Sequence, residues 1–146
     1  MIIPRKLVDF QVKSKDMITI YILFIRSVLE QSSVVWSSSL TQDEMQSLER
    51  AQKVALRIIY QDNYVSYDNA LSMSKLDKMS DRYQHLLLRF AIKCTKNVRT
   101  KDMLPLKNVN ERSRFQEKYI VPFARKDRFF KSTIPSMARL LNSIQK

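Results

Sequence analysis

Eleven lysines and arginines fall into three sets whose spacing could hold phosphates. Arg50, Lys53 and Arg57 recur at helical intervals, as do Arg82, Arg89, Lys93 and Lys96. On a helix of 3.6 residues per turn each set keeps within about 60° of one side. The third set, Arg125, Lys126, Arg128 and Lys131, alternates with Phe123, Phe129 and Phe130. A row of cationic groups neutralises successive phosphates and releases their counterions, giving affinity for an RNA or DNA backbone without sequence preference. The three phenylalanines could stack on bases, or could anchor the segment to its own core.

Catalytic groups are harder to assemble. Two-metal phosphoryl chemistry needs paired carboxylates holding ions roughly 3.5–4 Å apart, and the chain has no Asp-Asp pair. Tyr60-Gln61-Asp62-Asn63 offers one carboxylate followed by an amide, which cannot supply the second charge, and it reads as a loop. His85, the one histidine, has no Ser, Cys or carboxylate spaced to form a triad and reads as a solvent-facing or interface residue. Cys94, the one cysteine, continues an apolar stripe and reads as core. One His and one Cys cannot build a zinc site. No metal, no cofactor and no enzymatic activity is expected of the chain.

The elements that must position these residues are helices. Ser14 is placed to cap a first long helix carrying Met17, Ile20, Tyr21, Phe24, Ile25, Val28 and Leu29 on one face. Ile18, Ile22 and Leu23 make it apolar on other sides, so it wants partners on more than one face. A Ser-rich break with Trp36 follows, where the indole either covers the core or meets a partner. Thr41 and Glu44 form a capping box for a second helix, with Leu40 and Met45 at the staple positions. Its core face is Met45, Leu48, Ala55, Leu56 and Ile59, with Arg50, Lys53 and Arg57 nearly opposite. Ser66 caps a short helix over Tyr67–Met73. From a cap at Asp77 or Ser80 a third long helix carries Met79, Tyr83, Leu86, Leu87, Phe90, Ala91 and Cys94, with Leu88 and Ile92 suggesting a second contact. Beyond Asn97, Pro105 and the stretch Lys107–Asn110 read as loop, Arg112–Tyr119 as a short polar helix, and a last helix starts near Pro135.

Composition agrees. A domain of 146 residues buries about 68–70% of its unfolded surface, enough for a core without staples. Glycine is absent, which disfavours primed-turn hairpins and phosphate-cradling loops. Of the net charge of +12, residues 99–146 hold 12 basic against 4 acidic side chains. The apolar run Met17–Ile25 is far shorter than the roughly 20 residues that span a bilayer and lacks a signal-peptide cleavage site. With a single cysteine, this points to a reducing intracellular setting, nuclear or cytoplasmic. The expected fold is all-α: about three main helices over 1–98, then a basic, partly irregular extension over 99–146 with a terminal helix, together one structural unit.

The order of short motifs resembles a known family. Ile25-Arg26-Ser27-x-Leu29-Glu30, Val35-Trp36-Ser37-x-x-Leu40 and Leu48-Glu49-Arg50-x-Gln52 are followed by Ser66-Tyr67-x-x-Ala70-Leu71 and Arg89-Phe90-Ala91-x-Lys93-Cys94 with Asn97. Leu104-Pro105-Leu106, Ile134-Pro135-x-Met137-x-Arg139-Leu140-Leu141-Asn142 and the lead-in Leu7, Phe10 and Val12 complete the set. This order is similar to the C-terminal, thumb and post-thumb region of LINE-type, non-LTR (jockey-like) retrotransposon reverse transcriptases. The family's palm carries its carboxylates on a Tyr/Phe-Ala-Asp-Asp turn, which this chain lacks. The resemblance implies a region that helps hold the template–primer duplex beside a polymerase palm in a parent protein. Ser74-Lys75 stands where the family often has Leu-Gly or Leu-Asn, which predicts a remodelled turn, and Tyr83 where a second Arg is common. Alternatives to a nucleic-acid grip are a helical protein-interaction module, using the first helix and Trp36, and a translated retroelement relic with no selected role. Contact with an anionic membrane ranks last, because the apolar faces look committed to a core.

Overall fold

The computed structural model describes residues 12–107 and 118–144. The protein is all-α. Among the described residues there is no strand, only an isolated antiparallel bridge between Leu106 and Tyr119. Packing divides the chain into two compact units, Met1–Gln31 with Thr41–Arg82, and Ser32–Leu40 with Tyr83–Lys146. The change in composition near residue 99 and the change in packing therefore fall at different places. Ser32–Leu40 belongs with the C-terminal residues because Thr133 Oγ1 donates to Val35 O at 2.8 Å and Trp36 meets Tyr83 edge-on, centroids 5.3 Å apart.

Among the described residues the first unit begins with α1 (Ser14–Ile20), which passes into a π-helical stretch, Tyr21–Arg26, and then α2 (Ser27–Glu30). Lys13, not Ser14, stands at the N-cap, and no side chain caps the helix there. The π stretch changes which residues face inward. On an α-helix Tyr21 and Arg26, five residues apart, would diverge by about 140°. An i→i+5 ladder brings them closer to one side, and both are buried. Phe24 and Val28, expected on the inner face, are instead 67% and 66% exposed.

After α3 (Ser33–Trp36) in the second unit, α4 (Gln42–Tyr60) returns to the first. It carries the expected capping box: Glu44 N–H donates to Thr41 Oγ1 at 3.3 Å, and Thr41 N–H to Glu44 Oε2 at 2.8 Å. The Thr41 N–H, together with the Thr41 hydroxyl donating to the same oxygen at 2.9 Å, holds the Glu44 carboxyl below its ordinary range. Next, α5 (Tyr67–Ser74) is capped by Ser66, whose Oγ accepts from Asn69 N–H at 3.2 Å. Met17, Tyr21, Ala55, Leu56, Ile59, Tyr60, Ala70 and Leu71 form the core of this unit.

A buried polar chain runs through it. Tyr21 OH donates to Gln52 Oε1 at 3.0 Å, and Gln52 Nε2 donates to Tyr67 Oη at 3.0 Å and Asp77 O at 2.9 Å. Tyr67 OH in turn donates to Glu49 Oε1, and burial followed by that carboxylate pushes the phenol's pKa up. Glu49 Oε2 accepts the backbone N–H of Met79 at 2.9 Å, one of the donors a helix start leaves without an intrahelical partner. So α6 (Met79–Lys96) starts between the two residues expected to cap it, with Glu49 of α4 serving its first N–H.

α6 continues into the second unit, where Leu87, Ala91 and Cys94 are buried with Leu104, Tyr119, Met137, Ala138 and Leu141. Phe90, expected in that series, is exposed, while Leu88 packs against the core. After Pro105 the chain pairs briefly with the segment at 118–120: Lys107 N–H donates to Lys118 O at 2.8 Å and Ile120 N–H to Pro105 O at 2.9 Å. Two last helices follow, α7 (Asp127–Phe130) and α8 (Thr133–Ile144). Extended pairing at Tyr119 replaces the C-terminal end of the polar helix expected from Arg112; the rest of that stretch, Asn108–Asn110, Leu7 and Phe10 lie outside the described residues.

A chain without glycine still needs left-handed backbone. Ser32, Gln61 and Lys75 have φ of 53°, 43° and 54°. Lys75 closes α5 in the left-handed region, with Leu76 N–H reaching Leu71 O at 3.1 Å, a backbone that glycine or asparagine adopts most readily. Gln61 is more strained, with ψ of −114° at the end of α4. Gln61→Gly is expected to stabilise the fold by about 1 kcal/mol and Lys75→Gly by about half that, after subtracting glycine's greater unfolded entropy. Urea midpoints that fall in both variants would show that these turns are not strained.

Candidate nucleic-acid interface

The two units differ sharply in charge. Ser32–Leu40 with Tyr83–Lys146 holds 15 of the 26 basic and 4 of the 14 acidic side chains, a net of +11 out of +12. The other unit is near neutral. Positive charge is therefore concentrated in the second unit, and the three basic sets are divided between the two.

Arg89, Lys93 and Lys96 lie exposed along the C-terminal half of α6, and none pairs with an acid among the described residues. Lys93 and Lys96 occupy the last turn, where the helix dipole favours cations even without a ligand. Arg125, Lys126 and Arg128 are exposed just before and within α7. Lys131 pairs with Asp127 at 2.7 Å, but both side chains are solvated, so the pair is weak. This stretch has a firm anchor: Asn142 of α8 accepts Tyr119 N–H and donates to Tyr119 O, both at 3.0 Å.

In the first unit Arg50, Lys53 and Arg57 are exposed along α4 as the periodicity requires. Arg82 does not belong with the free cations. Its Nε and Nη2 donate to Glu30 Oε1 and Oε2 at 2.8 and 3.0 Å, and Arg26 Nε reaches the same carboxylate at 2.8 Å. Burial alone would raise the Glu30 pKa, but the bonds and charges of Arg82 and Arg26 outweigh it and hold the carboxyl below its usual range. Glu30 in return raises the pKa of Arg82. A helical stripe read from sequence cannot reveal this, because the partner lies 52 positions away.

The three aromatic rings also separate. Phe123 is 86% exposed, Phe129 is about half exposed, and one face of Phe130 is covered by the Arg139 guanidinium at 3.8 Å. Arg139 is fixed there by bonds to Phe130 O and Ser136 Oγ at 2.8 and 3.0 Å. Sequence spacing did not single out Lys101 and Lys118, which line a cleft of ≈ 610 Å³ with Thr95, Asp102 and Tyr119. They stand too far apart in the chain to show a period. Asp62 is exposed in a 3₁₀ turn, His85 is exposed, and Cys94 is buried. Among the described residues no group of three potential ligands could hold a metal ion, and no single helix is long and apolar enough to cross a membrane.

Fold and surface together define an all-α protein with one near-neutral and one strongly basic unit. No protein-family model, curated protein or solved structure matches the chain.

Proposed function

We propose that the protein is a non-catalytic nucleic-acid-binding module that holds an RNA or DNA backbone through its second unit, without sequence preference. The observation that carries this reading is the segregation of charge: +11 of +12 lies in one compact unit, with Arg89, Lys93, Lys96, Arg125, Lys126 and Arg128 exposed on it. The ordered motifs similar to the thumb and post-thumb region of LINE-type reverse transcriptases support it, and in a parent protein the partner would include a polymerase palm. Arg50, Lys53 and Arg57 are secondary contacts in this scheme, and Arg82 is a structural residue.

A second reading has its own support. Leu23, Phe24 and Val28 are exposed on the π stretch and α2, which favours a protein partner on the first unit.

Salt titration of binding to labelled RNA and DNA tests the main reading. With about six phosphates engaged, affinity should fall by at least roughly 10²-fold between 50 and 200 mM salt. Arg89→Ala/Lys93→Ala should weaken binding to every sequence alike and lower the salt slope by between one and two. Salt-independent affinity would exclude a phosphate grip.

A further inference from the structure

We propose that the basic unit takes its nucleic acid single-stranded, with one base stacked on Phe123 and the neighbouring phosphates held by Arg125, Lys126 and Arg128. The inference deepens the reading above and rests on it. The ring stands at the end of a stiffened lead-in. Asn142 clamps Tyr119 by both backbone groups, Val121 packs against the core, and Pro122 fixes its own φ and restricts Val121 to extended backbone. The chain is thus steered outward immediately before Phe123, which is 86% exposed although two residues earlier the same strand of chain is packed. Arg125, Lys126 and Arg128 follow within five residues, all exposed.

Of the three phenylalanines in this stretch, Phe130 already spends a face on Arg139, while Phe123 is the most open to solvent. An exposed ring among cations suits a single strand because every unpaired base presents a π face, whereas duplex bases are stacked on each other. A phosphate grip alone would bind duplex at least as well, since charge density is higher there. Strand preference therefore separates the two.

The test compares a labelled oligoadenylate strand of about 15 nucleotides with a duplex of the same length, using the whole chain. Phe123→Ala and Phe123→Leu should each weaken single-strand binding by roughly 5- to 150-fold, the worth of one stacked base. Duplex affinity, the salt slope and the thermal midpoint should stay unchanged, and Phe123→Trp should retain single-strand affinity. Equal loss for duplex, full affinity in Phe123→Leu, or no loss in Phe123→Ala would overturn the stacking proposal. So would a Phe123→Ala defect seen only with phosphatidylserine vesicles, which would assign the ring to a lipid surface. Arg125→Ala/Lys126→Ala/Arg128→Ala tests the underlying reading separately. If that variant keeps full affinity and slope for both ligands, these residues do not grip phosphate. If it loses both while Phe123→Ala does not, only the stacking fails. A wild-type chain that binds neither ligand overturns both.

Discussion

Gln52→Leu is expected to destabilise the folded protein by about 2–4 kcal/mol, although leucine nearly matches the volume it replaces. Gln52 is fully buried and makes three hydrogen bonds, to Tyr21, Tyr67 and the Asp77 carbonyl. Each such bond contributes a net of about 1 kcal/mol, and more where a buried partner is left with less than its full complement. The amide is used in both senses, accepting through Oε1 and donating through Nε2. Gln52→Glu keeps the shape but loses the donors, and it aims a carboxylate at two oxygens near Glu49. It should therefore cost at least as much as leucine. The network also reaches Met79 N–H through Tyr67 and Glu49, so a double-mutant cycle of Gln52→Leu with Tyr67→Phe should show coupling of about 1 kcal/mol or more. Urea unfolding within about 1 kcal/mol of wild type in both Gln52 variants would mean that the buried amide contributes little.

Local signals in the chain were legible because they depend on neighbours in sequence. The Thr41–Glu44 box, the Ser66 cap and the apolar period of α4 each need only a few residues, and all three are present. The first helix keeps Met17, Tyr21 and Ile25 on the core but departs from the expected face at Phe24 and Val28 for the same reason. An i, i+3, i+4 pattern assumes 3.6 residues per turn, and it puts Phe24 and Val28 inside only on that assumption. The π stretch arises where Tyr21 and Arg26 are both buried, one toward Gln52 and the other toward Glu30. Gln52 lies 31 positions from Tyr21, and Arg82, which shares the Glu30 carboxylate, lies 52 from Glu30, so neither falls within a local window. Charge behaved similarly. The sequence shows a basic last third, but only packing assigns Arg89, Lys93 and Lys96 to the basic unit and Arg50, Lys53 and Arg57 to the neutral one. Left-handed turns persist without glycine: Ser32, Gln61 and Lys75 carry them at a cost.

Glu30→Gln should cost about 2–4 kcal/mol at pH 7, and that difference from wild type should vanish in acid. Arg26 has a side chain only 8% exposed and meets the Glu30 carboxylate at 2.8 Å, with Arg82 binding the same group through two nitrogens. Neutralising the carboxylate leaves a buried guanidinium without its counter-charge, which costs several kcal/mol in a fully buried site. Arg82 is more open, so the expected loss lies at the lower end. The pH dependence follows from the depressed Glu30 pKa. An unfolded glutamate titrates near about 4.3, and the folded one below its usual range. The stabilisation is therefore complete above the unfolded value and is lost as pH falls through the folded one. Chemical unfolding of wild type and Glu30→Gln at steps from pH 7 to 3 should show two curves that converge toward acid. Parallel curves across that range would locate the cost of the substitution in packing instead of in the charge that holds Arg26 and Arg82 together.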